Sequence, residues 1–219
     1  MNREDTKQAI EQGGIMPVLR ARSTAEGRAL VEALVAGGIA VMEVTMTVPG
    51  AVELLGILKK EYGDRLLLGS GTVTSAEQAQ ATIDAGAEFV VSPSFHPDVV
   101  AATRKAGKVS IPGSLTPTEV ITAWRAGADY VKIFPCSAVG GAGYLKALLA
   151  PFPELRLIPT GGVTLATAAD FLKAGARALG VGTDLVNPKA IEEGTPEKVT
   201  ETARAYVEIV GKFRSTSPR

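Results

Sequence analysis

The chain has 219 residues, of which 46% are hydrophobic, and its 23 basic residues balance its 23 acidic residues. This length favours one domain with a substantial core, since α/β barrels of roughly 200–250 residues fold as one unit. The balanced charge gives no indication of a nucleic-acid partner or of an anionic membrane surface. The lone Cys136 excludes an internal disulfide, and residues 1–5 lack a signal-peptide pattern, so we expect a cytoplasmic protein.

Short apolar segments alternate with helical segments along the whole chain. Ala-Gly pairs recur at residues 36–37, 85–86, 106–107, 126–127 and 174–175. Glycine readily takes the left-handed conformation that ends helices, so each pair indicates a helix end followed by a strand. The predicted strands are residues 15–19, 41–46, 66–69, 89–91, 109–111, 130–134, 155–158 and 178–181.

Eight strands that alternate with helices at even spacing predict an α/β fold, the (β/α)8 TIM barrel. We predict an extra N-terminal helix within residues 1–13 and a frayed tail at residues 214–219. No linker divides the chain, so residues 1–219 are expected to form a single (β/α)8 barrel domain. A doubly wound open sheet is the alternative, but no G-x-G-x-x-G sequence follows the first strand.

Two charged residues interrupt predicted strands that are otherwise apolar. Lys132 lies within YVKIF, and Glu43 lies within VMEVTM. A parallel strand that is buried on both faces is normally an almost continuous apolar run. Because desolvation disfavours an ammonium ion, a buried lysine amine is suited to attack a carbonyl carbon. We therefore interpret this pair as catalytic; a lysine that reaches out to solvent and a purely structural ion pair are the alternatives.

The alternation of side chains along the strands places three charged groups on the inner face of the predicted barrel. Glu43, Lys132 and Arg20 fall on that face, and barrel enzymes carry their active sites at the C-terminal ends of the strands. Glycine-rich segments end the last two strands at residues 159–162 and 180–183. Glycine lets backbone N–H groups approach an anion closely, so these segments indicate a phosphate site.

Five short motifs occur in order along the chain: EVT at 43–45, GTV at 71–73, SP at 92–93, VKIFP at 131–135 and PTGG at 159–162. Together they resemble the bifunctional 2-keto-3-deoxy-6-phosphogluconate (KDPG)/4-hydroxy-2-oxoglutarate aldolases, and the resemblance extends from residue 15 to about residue 210. It implies a homotrimeric barrel and a class I aldolase that forms a covalent imine. It also implies a phosphorylated keto-acid substrate, pyruvate as a product, and no metal or other cofactor.

The resemblance assigns Lys132 as the Schiff-base lysine and Glu43 as the general acid/base. The implied substrate-binding residues are Arg20, Thr47, Thr72, Pro93, Phe134, Thr160, Gly161, Gly162, Gly182 and Thr183. Of these, Thr72 matches a residue that contacts the pyruvate portion, and Thr160 matches one near the substrate hydroxyls. Pro93 and Phe134 match residues that line the pocket. The phosphate site of the family is matched by Gly161, Gly162, Gly182 and Thr183.

One position departs from the family pattern. Thr47 stands where many members carry an arginine that holds the substrate carboxylate. Arg20 matches an arginine of other members and is the candidate for that role, since a guanidinium suits bidentate binding of a carboxylate. Thr183 replaces a common serine and keeps its hydroxyl group.

The resemblance implies cleavage of KDPG to pyruvate and glyceraldehyde 3-phosphate, with 4-hydroxy-2-oxoglutarate as a further candidate substrate. Cleavage of 2-keto-3-deoxy-6-phosphogalactonate is an alternative within the same family. Two more remote alternatives remain: a phosphosugar isomerase or epimerase, and a non-catalytic barrel that binds a phosphorylated ligand. The barrel fold alone does not decide among them, because barrels carry many chemistries.

Overall fold

The computed structural model describes residues 1–216, in which helices and parallel strands alternate. The strands are β1 Ile15–Leu19, β2 Val41–Thr45, β3 Leu67–Gly71, β4 Phe89–Val91, β5 Val109–Ile111, β6 Gly113–Ser114, β7 Val131–Ile133, β8 Leu157–Pro159 and β9 Leu179–Val181. The helices are α1 Arg3–Gly13, α2 Thr24–Ala36, α3 Ala51–Tyr62, α4 Ala76–Asp84, α5 Pro97–Lys105, α6 Pro117–Arg125, α7 Ala142–Leu149, α8 Ala168–Lys173, α9 Pro188–Glu192 and α10 Glu197–Thr216. The predicted α/β class is confirmed.

The strands form two curved parallel sheets. Six strands pair in the order β5-β4-β3-β2-β1-β9, and three pair in the order β6-β7-β8. The predicted fifth strand has its expected bounds as β5, and Pro112 separates it from the additional strand β6, which pairs in the other sheet. Proline has no N–H to donate to a ladder, which accounts for the break. The sheets meet again at an isolated parallel bridge between Thr160 and Gly180.

Strand β3 continues two residues beyond its predicted end at Gly69. Both Gly69 and Gly71 remain in the ladder, opposite Glu43 and Thr45 of β2. A side-chain carbon on Gly69 would lie 2.2 Å from the ring of Phe89. Glycine is therefore needed here to make room for a neighbouring inner side chain, and it does not end the strand.

The strands bury apolar side chains on both of their faces, as their nearly continuous apolar sequences predict. The outer faces pack on the helices; Met42 and Val44 of β2, for example, lie in the larger core cluster with residues of α2 and α3. The inner faces share a smaller cluster to which both sheets contribute: Met16, Val41, Leu67, Phe89, Val91, Val109, Ile111, Tyr130, Ile158 and Ala178. This inner cluster fills the space below the Glu43 and Lys132 side chains.

Helix α1 covers the N-terminal ends of the strands. Asn2 caps the helix by accepting a hydrogen bond from the backbone N–H of Asp5. Ile10, which is 1% exposed, inserts into the inner cluster. The Arg3 guanidinium pairs with Asp129 at 2.7 Å, and the Tyr130 hydroxyl donates to the backbone oxygen of the helix at Lys7. The helix therefore seals the end of the sheets that is remote from the predicted active site.

Helix α10 ends the described part of the chain. It runs to Thr216, so residues 214–216 of the expected tail are helical, and that part of the prediction is wrong. Val210 of α10 is buried, and the Arg214 guanidinium donates to the backbone oxygens of Glu11 and Gln12, so these contacts hold the last turns of the helix. The rest of the expected tail, 217–219, lies outside the described residues. No helix within residues 1–216 is both long and apolar enough to span a membrane.

Candidate active site

The predicted site residues lie at one end of the two sheets. All strands are parallel, so the loops that follow them emerge at the same edge. The residues in question lie at or just after seven different strand ends: Arg20 after β1, Thr47 after β2, Thr72 after β3, Pro93 after β4, Phe134 after β7, Thr160, Gly161 and Gly162 after β8, and Gly182 and Thr183 after β9. Motifs that are far apart in the sequence therefore lie close together at this edge.

Lys132 and Glu43 meet on the inner face of the strands, one layer above the apolar cluster. Their side chains are 7% and 1% exposed, and Lys132 Nζ lies 3.8 Å from Glu43 Oε1. This distance allows an ion pair but is too long for a good hydrogen bond. Among the buried side-chain oxygen and nitrogen atoms of residues 1–216, Glu43 Oε1 alone lacks a hydrogen-bond partner. An unsatisfied buried carboxylate oxygen is costly, and such groups concentrate where chemistry needs them.

Burial dominates the electrostatics of Glu43. Desolvation raises the pKa of its carboxyl above the usual 4.5, because it outweighs the opposing attraction of the Lys132 and Arg20 charges. A carboxyl with a raised pKa can take up and release a proton closer to neutral pH. The Lys132 amine also faces the Phe134 ring, 5.5 Å from the ring centre. The pair is thus a buried carboxyl with a raised pKa beside a buried amine.

Hydroxyl groups link the ends of β1 and β2 next to Arg20. Thr45 Oγ1 donates to the backbone oxygen of Leu19 at 2.8 Å, and Thr47 Oγ1 lies 2.6 Å from Thr45 Oγ1. Since the Thr45 proton is already used, Thr47 donates in this second bond. Arg20 itself is exposed and makes no ion pair with any residue from 1 to 216. Its guanidinium is therefore free to meet an anionic ligand at the strand ends.

The residue after β3 has an unusual backbone conformation. Thr72 has a φ of +57°, and no other non-glycine residue within 1–216 has a positive φ. This region is unfavourable for a β-branched side chain, and such strained residues cluster at functional sites. Neighbouring wall residues Pro93 and Phe134 are half-buried, and the peptide bond from Phe134 to Pro135 is cis.

The loops after β8 and β9 are built to expose backbone N–H groups. Gly161 and Gly162 have φ of +86° and +77°, a conformation that side chains rarely adopt. The loop is held in place by the backbone N–H of Ser137, which donates to the Gly161 oxygen at 3.1 Å. After β9, the N–H groups of Leu185 and Val186 both donate to the Gly182 oxygen, forming one helical turn. Successive N–H groups at such turns form concave anion-binding surfaces.

Three inner glycines make close approaches that were not predicted from the sequence, although Gly71 and Gly180 lie in motifs that the sequence singles out. A side-chain carbon on Gly71 would lie 1.8 Å from Glu43 Oε1, and one on Gly180 would lie 2.1 Å from Thr160 Oγ1. One on Gly113 would lie 2.3 Å from the Pro93 oxygen. Each occupies an inner position of its strand, and glycine at such a position is the sequence signal that identifies a close approach.

Other features of the described chain do not belong to this site. A groove of about 990 Å³ lies at the opposite end of the molecule, between α1, α8 and α10, and includes none of the predicted site residues. Burial raises the pKa of the Cys136 thiol to about 11, which keeps it protonated near neutral pH. Within residues 1–216, no group of three or more histidine, cysteine or acidic side chains could hold a metal ion.

The fold and the site together define a class of protein. It is an α/β protein that carries a buried lysine–carboxylate pair at the carboxyl ends of its parallel strands. The chain matches the protein-family model for aldolases described as KDPG and KHG aldolase over residues 6–202. It is 38% identical over 205 residues to a 2-dehydro-3-deoxy-phosphogluconate aldolase of Treponema pallidum (strain Nichols), covering 93% of this chain and 97% of the relative. It therefore belongs to the KDPG and KHG aldolase family, which confirms the resemblance inferred from its motifs and the expectation of an aldolase.

Two further comparisons bear on the substrate and on the chemistry. A 2-dehydro-3-deoxy-6-phosphogalactonate aldolase of Escherichia coli (strain K12) is 34% identical over 197 residues, which cover 90% of this chain and 96% of the relative. A crystal structure of the KDPG aldolase of Legionella pneumophila contains pyruvate captured at low pH as a covalent carbinolamine intermediate. It matches this fold with a TM-score of 0.85 and 31% identity, covering 92% of this chain and 97% of the other.

Proposed function

We propose that the protein is a class I aldolase that cleaves KDPG to pyruvate and glyceraldehyde 3-phosphate through an imine on Lys132. The observation that carries this proposal is the buried pair of Lys132 Nζ and Glu43 Oε1, 3.8 Å apart, at the carboxyl ends of the strands. A buried ion pair contributes little to stability after its desolvation cost, so a structural role alone does not explain it. The covalent carbinolamine of the Legionella pneumophila relative supports the same chemistry.

Imine formation is the first part of the proposed mechanism. The neutral amine of Lys132 attacks the C2 ketone of the substrate and forms a carbinolamine. Loss of water then gives a protonated imine, which accepts electrons far more readily than the ketone does. Phe134 closes one side of this position, since its ring centre lies 5.5 Å from the lysine nitrogen. Burial of the amine at the inner face keeps bulk water away from the intermediate.

Proton transfer by Glu43 is the second part. The ionised carboxylate, directly or through a water, removes the proton of the C4 hydroxyl. The C3–C4 bond breaks, its electrons move into the imine, and glyceraldehyde 3-phosphate leaves behind a pyruvate enamine. Glu43 then returns a proton to C3, and water hydrolyses the imine to release pyruvate and the free lysine. The raised pKa of the Glu43 carboxyl supports both proton uptake and proton release near neutral pH.

The two ends of the substrate would be held by different strand ends. We assign the substrate carboxylate to Arg20 together with the Thr47 hydroxyl, whose proton would turn from Thr45 Oγ1 to the carboxylate when the substrate binds. Thr72 would contact the pyruvate portion. The exposed guanidinium of Arg20, close enough for its charge to lower the pKa of Glu43, supports this assignment. Pro93 and Phe134 would form the walls between these residues and the loops.

The phosphate would bind at the loops after β8 and β9. We assign it to the backbone of Gly161, Gly162 and Gly182 and to the Thr183 hydroxyl, with Thr160 facing the substrate hydroxyls. The left-handed conformation of the first two glycines supports this site, because a side chain would be strained at both positions and at Gly162 would also collide with Ser137. A metal ion is not part of the proposed mechanism.

The wider architecture is also part of the proposal. The bridge between Thr160 and Gly180 supports closure of the two sheets into one (β/α)8 barrel, with α1 as an extra helix across its N-terminal end. We propose that residues 1–219 form this single domain. The family resemblance supports a homotrimer in the cytoplasm, without nucleic-acid or membrane partners.

A turnover assay on a panel of substrates tests this function. Purified protein is given KDPG, 2-keto-3-deoxy-6-phosphogalactonate or 4-hydroxy-2-oxoglutarate, and pyruvate release is measured. We expect the highest kcat/KM with KDPG; a higher value with the galactonate phosphate would favour the activity of the Escherichia coli relative instead. Lys132→Met, which keeps the length of the side chain but removes its amine, is the control and should release no pyruvate. Absence of turnover by the parent with all three would contradict the proposal and favour an isomerase or a binding protein.

A further inference from the structure

We propose that Gly71 is a positioning residue for the Glu43 carboxylate. This inference rests on the proposed function and extends it to a residue that has no side chain. Gly71 is the last residue of β3 and lies opposite Thr45 of β2, two residues beyond Glu43. The absence of a side chain at this point lets the carboxylate lie in the position where it meets Lys132.

The distances show how completely the Glu43 side chain occupies the space next to Gly71. A Cβ atom at residue 71 would lie 1.8 Å from Glu43 Oε1, 2.3 Å from its Cδ and 2.4 Å from its Cγ. Real Cβ atoms essentially never approach another heavy atom within 3.0 Å. Any larger residue at position 71 therefore requires the carboxylate to move.

Backbone conformation does not explain the glycine. Gly71 is absent from the glycines with positive φ, and its oxygen accepts a normal strand-end hydrogen bond of 2.7 Å from the Met46 N–H. An alanine could adopt this backbone without strain. The requirement at this position is space alone.

A methyl group added at Gly71 would displace the side chain of Glu43 and would leave the core side chains in place. Its three nearest atoms all belong to Glu43, whose long side chain can rotate. At Gly69, by contrast, the obstructed group is the ring of Phe89, a fully buried core residue. A methyl group at Gly71 should therefore leave the fold intact and shift Glu43 away from its 3.8 Å approach to Lys132.

A displaced Glu43 should affect some steps of the reaction and not others. Imine formation depends on the Lys132 amine, whereas C–C cleavage and protonation of the enamine depend on the carboxylate. A displacement of about 1 Å in a reacting group lowers rates by roughly 100-fold. Gly71→Ala should accordingly separate imine trapping from turnover.

The experiment compares Gly71→Ala with its parent in three assays: kcat for cleavage, borohydride trapping of pyruvate, and exchange of the pyruvate C3 protons for deuterium. We expect kcat and exchange to fall by roughly 100-fold while trapping on Lys132 is retained. Gly56→Ala is the matched control, because a Cβ at this helical glycine meets nothing within 4 Å. It should match the parent in all three assays.

The Glu43→Asp background provides the decisive comparison. Aspartate is one methylene shorter and withdraws from the added methyl group, so Gly71→Ala should have at least about tenfold less effect on kcat in this background. The double variant also relieves the clash if Gly71→Ala alone fails to fold. Equal losses in both backgrounds, or loss of trapping together with turnover, would overturn the inference. If the parent neither traps pyruvate nor turns over, the proposed function fails; an active parent with an equally active Gly71→Ala refutes only the role of Gly71.

Discussion

At the residue scale, the site depends on a carboxylate that is buried against the backbone of a neighbouring strand. Glu43 is 1% exposed, has one oxygen without a hydrogen bond among the described residues, and lies within ion-pair distance of Lys132. A well-packed apolar pair at these positions would be at least as stable as the charged one. Their presence is therefore better explained by proton transfer and nucleophilic attack than by stability.

The first prediction concerns catalysis by Glu43. Glu43→Gln keeps the size of the side chain but removes its ability to accept a proton. We expect imine formation with pyruvate to persist in part, and the rate of KDPG cleavage to fall by roughly 10²–10⁴. Single-turnover measurements that follow imine trapping and pyruvate release separately check this. A cleavage rate equal to that of the parent would remove Glu43 from the mechanism.

The second prediction concerns the pH dependence of stability. Burial raises the pKa of Glu43, so the folded state binds this proton more tightly than the unfolded state does. This contribution to stability is present at acid pH. It is lost as the pH rises from about 4.5 through the raised pKa that Glu43 has in the folded state. The Tm of Glu43→Gln minus the Tm of the parent should therefore increase as the pH is raised from about 4 to about 7.

Thermal unfolding of both proteins across this pH range provides the measurement. Glu201→Gln, at an exposed position of α10, is the control, and its Tm difference from the parent should stay nearly constant. A Tm difference for Glu43→Gln that moves the other way would mean that attraction by Lys132 and Arg20 outweighs burial. The pair would then behave as a structural ion pair.

The sequence was sufficient to single out Lys132 and Glu43 as candidates, because a charge in an apolar strand is visible without a structure. Gly71 was not identifiable in the same way, since its role depends on which side chain of β2 lies against it. The positive φ of Thr72 was also inaccessible, because a β-branched residue gives no local signal for that conformation. Strand alternation did predict correctly that Met42 and Val44 face the helices.

At the scale of elements, helix α1 stabilises the end of the sheets remote from the site. Ile10→Ala removes a buried side chain from the inner cluster and should lower stability by about 2–5 kcal/mol. We expect kcat to be unchanged at a temperature where the variant is folded. Denaturant unfolding and steady-state kinetics check both statements, with Gln8→Ala at an exposed position of α1 as the control. A loss of kcat in folded Ile10→Ala would show that the two ends of the sheets are coupled.

Several helix boundaries followed from local sequence. Ser23 and Ser75 accept hydrogen bonds from the first turns of α2 and α4, and serine is a preferred residue at this cap position. Pro117 begins α6, and Thr116 forms a capping box with Glu119. The short strand β6 after Pro112 and the continuation of β3 to Gly71 were missed, because both depend on pairing with neighbouring strands.

At the scale of the whole molecule, the parallel arrangement of the strands brings the site together. Residues that are up to about 160 positions apart in the chain, such as Arg20 and Gly182, emerge at the same edge because every strand points the same way. The regular alternation of strands and helices made this predictable. What the sequence could not provide is how the strand ends approach across the inner space, as at the bridge between Thr160 and Gly180.

Borohydride reduction in the presence of pyruvate, followed by peptide mass mapping, tests the central claim most directly. We expect a reduced pyruvyl adduct on Lys132 in the parent protein and none in Lys132→Met. Lys146→Met, which alters another lysine on α7, should leave the adduct in place. An adduct on a different lysine, or no adduct in folded protein at saturating pyruvate, would contradict an imine mechanism at Lys132.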